Sequence, residues 1–102
     1  VDLVTTKPPL EKTIENKFVK WATQQGCMCL KLNVVGRRSW PDRLVLVPTG
    51  GMLLIEFKRP GGKLSPGQEM LHEELDKIGH TVHVCYSAEA AADLVREAMN
   101  EL

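Results

Sequence analysis

Asp42, Glu56 and Lys58 are the residues of this chain whose types and spacing suggest chemistry on a charged substrate. Two apolar runs, residues 44–47 and 52–57, flank Pro48-Thr49-Gly50-Gly51, which is the pattern of a β-hairpin. With the connection centred between Thr49 and Gly50, residues whose numbers add to 99 face one another, and Asp42 pairs with Phe57. A shift of one position either way sets Asp42 opposite Glu56 or Lys58. In each register an acid at the foot of one strand meets an acid and a lysine at the end of the next, and strand alternation sends Glu56 and Lys58 to one face. Two carboxylates crowded among apolar residues need a compensating cation or a raised pKa. A hard divalent ion is the simplest compensation. Magnesium takes one or two carboxylates, a carbonyl and several waters at about 2.0–2.1 Å, and the Phe57 C=O offers the neutral oxygen. Lys58 is then placed to orient an attacking water or to offset negative charge growing on phosphorus. The same spacing fits a strand-end ion pair in which Lys58 neutralises Glu56 or Asp42.

The elements that must hold these groups are readable from periodicity and punctuation. Pro8 and Pro9 precede a helical stretch over 10–25, with Leu10, Ile14, Phe18, Trp21 and Ala22 on one face and Gly26 as its stop. Residues 28–35 alternate as a strand, Met28, Leu30, Leu32 and Val34 against Cys29, Lys31, Asn33 and Val35, and a basic loop over 36–41 breaks it. Neither run of the hairpin alternates cleanly with polar residues, so both of its faces are expected to be covered. A second helix is predicted over 66–78, with Ser65 as N-cap and Gly79 as its end. Residues 81–86 read as a strand, and Ser87 caps a last helix over 88–100 with Ala91, Leu94, Val95 and Ala98 inward. This order predicts an α/β fold: a mixed central sheet with helices on both faces, its last two strands made parallel by a right-handed crossover. The 102 residues suffice for a single domain over 1–102 and not for two independent cores.

The net charge of zero conceals an asymmetry. Residues 31–63 carry +5, seven bases against Asp42 and Glu56, whereas residues 64–102 carry −6 and residues 1–30 carry +1. An anionic partner responds to the local field, so the neutral sum does not exclude one, although solvated surface charge is the ordinary reading. The apolar share of 43% and charged share of 25% exclude a disordered or collagen-like chain. Three cysteines, an odd count beside a full-sized core, point to a reducing compartment. No apolar run approaches the roughly 20 residues that span a bilayer, and VDLVTTKPPL lacks the basic start and apolar stretch of a signal peptide. The expectation is a soluble cytoplasmic protein with no membrane partner. Gly61-Gly62-Lys63-Leu64-Ser65 lacks the spacing of a phosphate loop, and Cys27, Cys29 and Cys85 lack zinc spacing. Of the scattered His72, His80 and His83, only His72 shares a helix face with Gln68.

Pro41-Asp42 followed by Glu56-Phe57-Lys58 resembles the signature of the PD-(D/E)xK nucleases. The fuller string is similar to the VRR-NUC family of small nucleases, often phage-borne or bacterial. It comprises Gly36-Arg37-Arg38-Ser39-Trp40-Pro41-Asp42-Arg43, then Glu56-Phe57-Lys58-Arg59-Pro60-Gly61-Gly62-Lys63-Leu64-Ser65, then Gln68. The likeness runs from about residue 11 to residue 91. Ser39 stands where that family commonly has glycine. The resemblance implies a restriction-endonuclease-like fold and an Mg²⁺- or Mn²⁺-dependent deoxyribonuclease leaving 5′-phosphate and 3′-hydroxyl ends. It also implies branched DNA, such as four-way junctions or flaps, as substrate in a bacterial or phage-infected cell. By the same resemblance Asp42, Glu56 and the Phe57 carbonyl hold the metal, Lys58 is catalytic, and Glu15 on the first helix completes the acidic site. The residues alone do not separate Glu15 from Glu11, and a lone helical glutamate is ordinarily a solvated charge.

Gln68 falls where the family has a polar residue facing the site, while Ser65-Pro66-Gly67-Gln68 equally fits an N-terminal capping box. Lys31, Arg37, Arg38, Arg59 and Lys63 lie around the site, where they are expected to grip DNA phosphates without reading bases. Symmetric cutting of a junction needs two active sites, so a homodimer follows, with Trp21, Trp40 or the first helix as candidate interface and core packing as the ordinary reading of Trp21. The alternative is a non-catalytic branched-DNA binding module. A small α/β interaction domain with a structural ion pair is a third reading.

Overall fold

Helical periodicity at the start of the chain produces α1, Glu11–Gln24, in the computed structural model, which describes residues 9–100. The opening residues, Pro8 among them, lie outside the described part. Ile14, Phe18 and Ala22 form the buried stripe of α1, and Gly26, at φ 92°, turns the chain out of it. Leu10 departs from the expected inward face: it is the N-cap and is exposed. Trp21 is half-buried, packed beside Phe18 and under the Arg96 guanidinium at 4.8 Å, which is its core reading.

The strands are β1 (Met28–Lys31), β2 (Arg43–Leu46), β3 (Met52–Phe57) and β4 (Val82–Cys85), in spatial order β1-β2-β3-β4. The first two pairings are antiparallel and β3 with β4 is parallel, as the crossover predicted. β1 stops four residues before the expected end at 35. Its last partner is Arg43, the first residue of β2, and beyond it only the Leu32 N–H reaches across, to the Asp42 C=O at 3.2 Å. Val34 and Val35, past that last cross-strand bond, are exposed.

The hairpin register differs by one from the symmetric expectation. Val47 N–H donates to the Gly51 C=O at 2.8 Å, closing a three-residue loop, Pro48-Thr49-Gly50, in which Gly50 takes φ 102°. An odd loop centres on Thr49, so Arg43 faces Ile55 rather than Glu56, and Asp42 comes opposite Glu56 rather than Phe57 when the pairing is continued by one step.

The remaining helices are α2 (Pro66–Lys77) and α3 (Ala88–Asn100). Val45, Ile55, Phe57 and Cys85 point from the sheet into a core closed by α1 and α3, with Ala91 and Val95 from α3. The alternate strand residues point the other way, where α2 lies over β4 and buries Leu71 and Leu75. Helices therefore cover both faces. Cover on the α2 side is incomplete at β1, where Met28 and Leu30 are exposed.

Candidate active site

β3 is an inner strand, and its end carries the candidate chemistry. Phe57 plants its ring in the core against Phe18, centroids 5.5 Å apart, which fixes the strand end. Alternation then turns the flanking Glu56 and Lys58 to the α2 side, where both are buried, Glu56 at 2% and Lys58 at 9% exposure. Lys58 N–H continues the parallel ladder by donating to the Cys85 C=O at 3.0 Å. Asp42, just ahead of β2, accepts the Phe57 N–H on Oδ2 at 2.7 Å. Asp42, Glu56, Phe57 and Lys58 thus share one end of the sheet.

Burial dominates the electrostatics. Glu56 is pushed up to about 8, first by desolvation and then by the Asp42 carboxylate, with the Lys58 ammonium opposing. The Asp42 carboxyl is also raised, by burial and by Glu15, while the Phe57 N–H pulls it down. A buried acid held neutral near pH 7 is a group for which a cation is the natural counterpart.

α2 supplies two contacts to Glu56. Ser65 Oγ accepts the Gln68 N–H at 3.1 Å and Gln68 Oε1 accepts the Ser65 N–H at 2.9 Å, a complete capping box. The Gln68 amide nitrogen, left over from that box, donates to Glu56 Oε2 at 3.2 Å. The capping box is thus realised through Gln68 Oε1, while its Nε2 faces the carboxylates and meets Glu56. One turn on, His72 Nε2 stands 3.7 Å from Glu56 Oε1, and neither atom has a hydrogen-bond partner. Burial, then the Lys58 charge, lowers the His72 pKa.

Glu15 is separated from Glu11 by what it meets. Its Oε2 accepts from Arg43 Nε at 2.6 Å, with both side chains largely buried, whereas Glu11 is exposed. Arg43 also reaches the Cys29 C=O at 3.4 Å. Sequence reading missed this arginine. The signal was its position next to Asp42, because alternation sends neighbours to opposite faces and Arg43 to the side of α1.

The hard carboxylate oxygens suit Mg²⁺ or Mn²⁺, and the buried, unpartnered Glu56 Oε1 is an atom such an ion would satisfy. Among the described residues no group of three or more His, Cys, Asp or Glu side chains forms a cage. An ion here would therefore draw on a backbone oxygen and water as well as on side chains.

Lys31, Arg37, Arg38, Arg59 and Lys63 are all exposed. Arg37 is drawn aside by Glu74 of α2, an exposed ion pair. A cleft of about 500 Å³ opens in the 32–40 loop, lined by Arg37, Arg38, Ser39 and Trp40, rather than over the carboxylates. Ser39 adopts φ 73°, the conformation that glycine takes at no cost. Its Oγ lies against Gly67, where an added Cβ would stand 2.6 Å away, so the basic loop rests on the first turn of α2. Trp40 is half-buried with its indole N–H unpartnered. The three cysteines are free and their thiols are raised by burial, in keeping with small apolar groups.

A model of the VRR-NUC domain family matches residues 11–89. The chain is 37% identical over 84 residues to "Putative nuclease p44" of Acyrthosiphon pisum secondary endosymbiont phage 1, covering 82% of this chain and 90% of that protein. A solved structure described as "VRR_NUC domain" superposes with a TM-score of 0.75 at 29% identity, over 84% of this chain and 94% of the other. No helix among the described residues is long and apolar enough to cross a membrane.

Proposed function

The chain belongs to the VRR-NUC domain family and is a nuclease; we propose that it is a divalent-metal-dependent endonuclease that hydrolyses phosphodiester bonds of branched DNA, such as four-way junctions or flaps. In this reading residues 1–102 are one nuclease domain, working as a homodimer in the cytoplasm of a bacterial or phage-infected cell. The observation that carries it is the buried end of β3, where Asp42, Glu56 and Lys58 meet and Glu56 is held near pKa 8.

Asp42, Glu56 and the Phe57 C=O are assigned to hold Mg²⁺ or Mn²⁺, with Glu15 assisting through water. When bound, that ion supplies Lewis-acid polarisation of the phosphate and lowers the pKa of the attacking water. The protein groups do the rest. Phe57 N–H fixes the Asp42 carboxylate, and the Gln68 amide fixes Glu56. Lys58 steadies the attacking water and offsets charge at phosphorus. Lys31, Arg37, Arg38, Arg59 and Lys63 take the flanking phosphates, which gives affinity without base sequence. One domain offers one such site, so paired cuts on a junction call for two copies.

The test is a panel of flap, linear, single-stranded and four-way-junction DNA with Mg²⁺, Mn²⁺ or chelator. Cleavage of the branched forms that needs the metal and is lost in Asp42→Asn is expected. The closure of Glu15 on Arg43 favours a second reading, a non-catalytic DNA-binding module. Salt-sensitive binding of the branched forms without any cutting would establish it.

A further inference from the structure

Glu56 Oε1 and His72 Nε2 are both enclosed by protein, and neither has a hydrogen-bond partner. They face each other at 3.7 Å, with side-chain exposures of 2% for Glu56 and 13% for His72. Buried polar atoms are satisfied in the great majority of cases, so two orphans converging on one point call for an explanation. The separation is too long for an N–H···O hydrogen bond, which needs about 2.7–3.2 Å. An ion with bonds of about 2.0–2.2 Å holds neighbouring donors roughly 3 Å apart in octahedral array and about 3.5 Å apart in tetrahedral array, so a side-chain shift of under about 1 Å brings both atoms within reach of one ion.

The rest of the geometry selects these two atoms. Gln68 occupies the other Glu56 oxygen, which directs Oε1 at His72. Gln68 and His72 are four residues apart on α2 and so share its face, and the capping box anchors the turn that carries them.

We propose that His72 is a ligand of the ion that Glu56 holds, adding one nitrogen to an oxygen donor set and tilting the site from Mg²⁺ toward transition ions. The inference rests on the metal-dependent reading given above. It adds to that reading a donor from α2, on the sheet face opposite α1, and a source of metal preference. An imidazole favours first-row transition ions over Mg²⁺, whose preferred partners are oxygens.

The experiment is pulsed electron paramagnetic resonance of the full chain loaded with Mn²⁺ alone, paired with Mg²⁺ competition. Wild type is expected to show the hyperfine modulation of a directly bound imidazole ¹⁴N. His72→Gln is expected to lose it, with the preference for Mn²⁺ over Mg²⁺ falling about tenfold and Mg²⁺ binding nearly unchanged. Mn²⁺ that binds wild type with oxygen and water couplings only overturns the role of His72 and leaves the metal-dependent nuclease standing. Mn²⁺ that does not bind, or binds equally to Asp42→Asn, overturns both. If His72→Gln fails to fold, His80→Gln and His83→Gln decide the matter: ¹⁴N modulation that persists in both belongs to His72, and modulation lost in either overturns the assignment.

Discussion

Glu56 is a carboxyl that the fold keeps from ionising, and its pH behaviour follows. Its pKa is about 8 in the folded protein against 4.5 when free. Between those values the native state binds more protons than the unfolded chain, so this group's contribution is fully present below about 4.5 and is lost as pH rises through about 8. Asp42, also raised, acts in the same direction. The metal-free protein should therefore melt at progressively lower temperature from pH 5 to pH 8.5. Glu56→Gln should flatten that slope, and thermal denaturation in chelator checks both. At Lys58 the proposed role predicts that Lys58→Ala binds DNA within a few-fold of wild type but cleaves about 10²–10³ slower, the usual cost of removing a group that stabilises transition-state charge. Cleavage at an unchanged rate would reject the assignment.

At the scale of elements, α2 does more than cover the sheet. Its first turn holds the capping box, orients Gln68 on Glu56 and supports the basic loop through the close approach of Ser39 to Gly67. A methyl at position 67 would stand 2.6 Å from Ser39 Oγ, the rotatable end of that side chain, so Gly67→Ala should cost no more than about 1 kcal/mol in urea denaturation. Ser39→Gly removes the obstructing Oγ and a positive-φ residue of roughly 1 kcal/mol strain, so Ser39→Gly with Gly67→Ala should recover most of the loss. If the two costs simply add, the contact is not what limits position 67. The hairpin teaches a related lesson. Its strands are evident from their apolar runs, but its register depends on whether the turn holds an even or odd number of residues, and the Val47–Gly51 bond decides for three.

Over the whole molecule, charge is arranged rather than balanced. The middle segment carries +5 within a neutral chain, and its proposed phosphate-gripping side chains are exposed. DNA affinity should therefore fall steeply with salt, and Arg38→Ala should reduce the log–log slope by about 1, as loss of one phosphate contact does. A slope that does not change places Arg38 away from DNA. Arg37 differs because Glu74 already competes for it.

The elements, their order, the parallel pairing of β3 with β4 and the Asp42, Glu56 and Lys58 cluster were legible in the sequence. Each follows from local periodicity, turn residues or strand alternation, which act over a few positions. Tertiary structure decided the one-step register, the early end of β1, the capture of Glu15 by Arg43, the two-ended use of Gln68 and the approach of His72 to Glu56. The last three of these depend on how α1 and α2 settle on opposite faces of one sheet. Packing between residues distant in sequence sets that placement, and no local pattern encodes it.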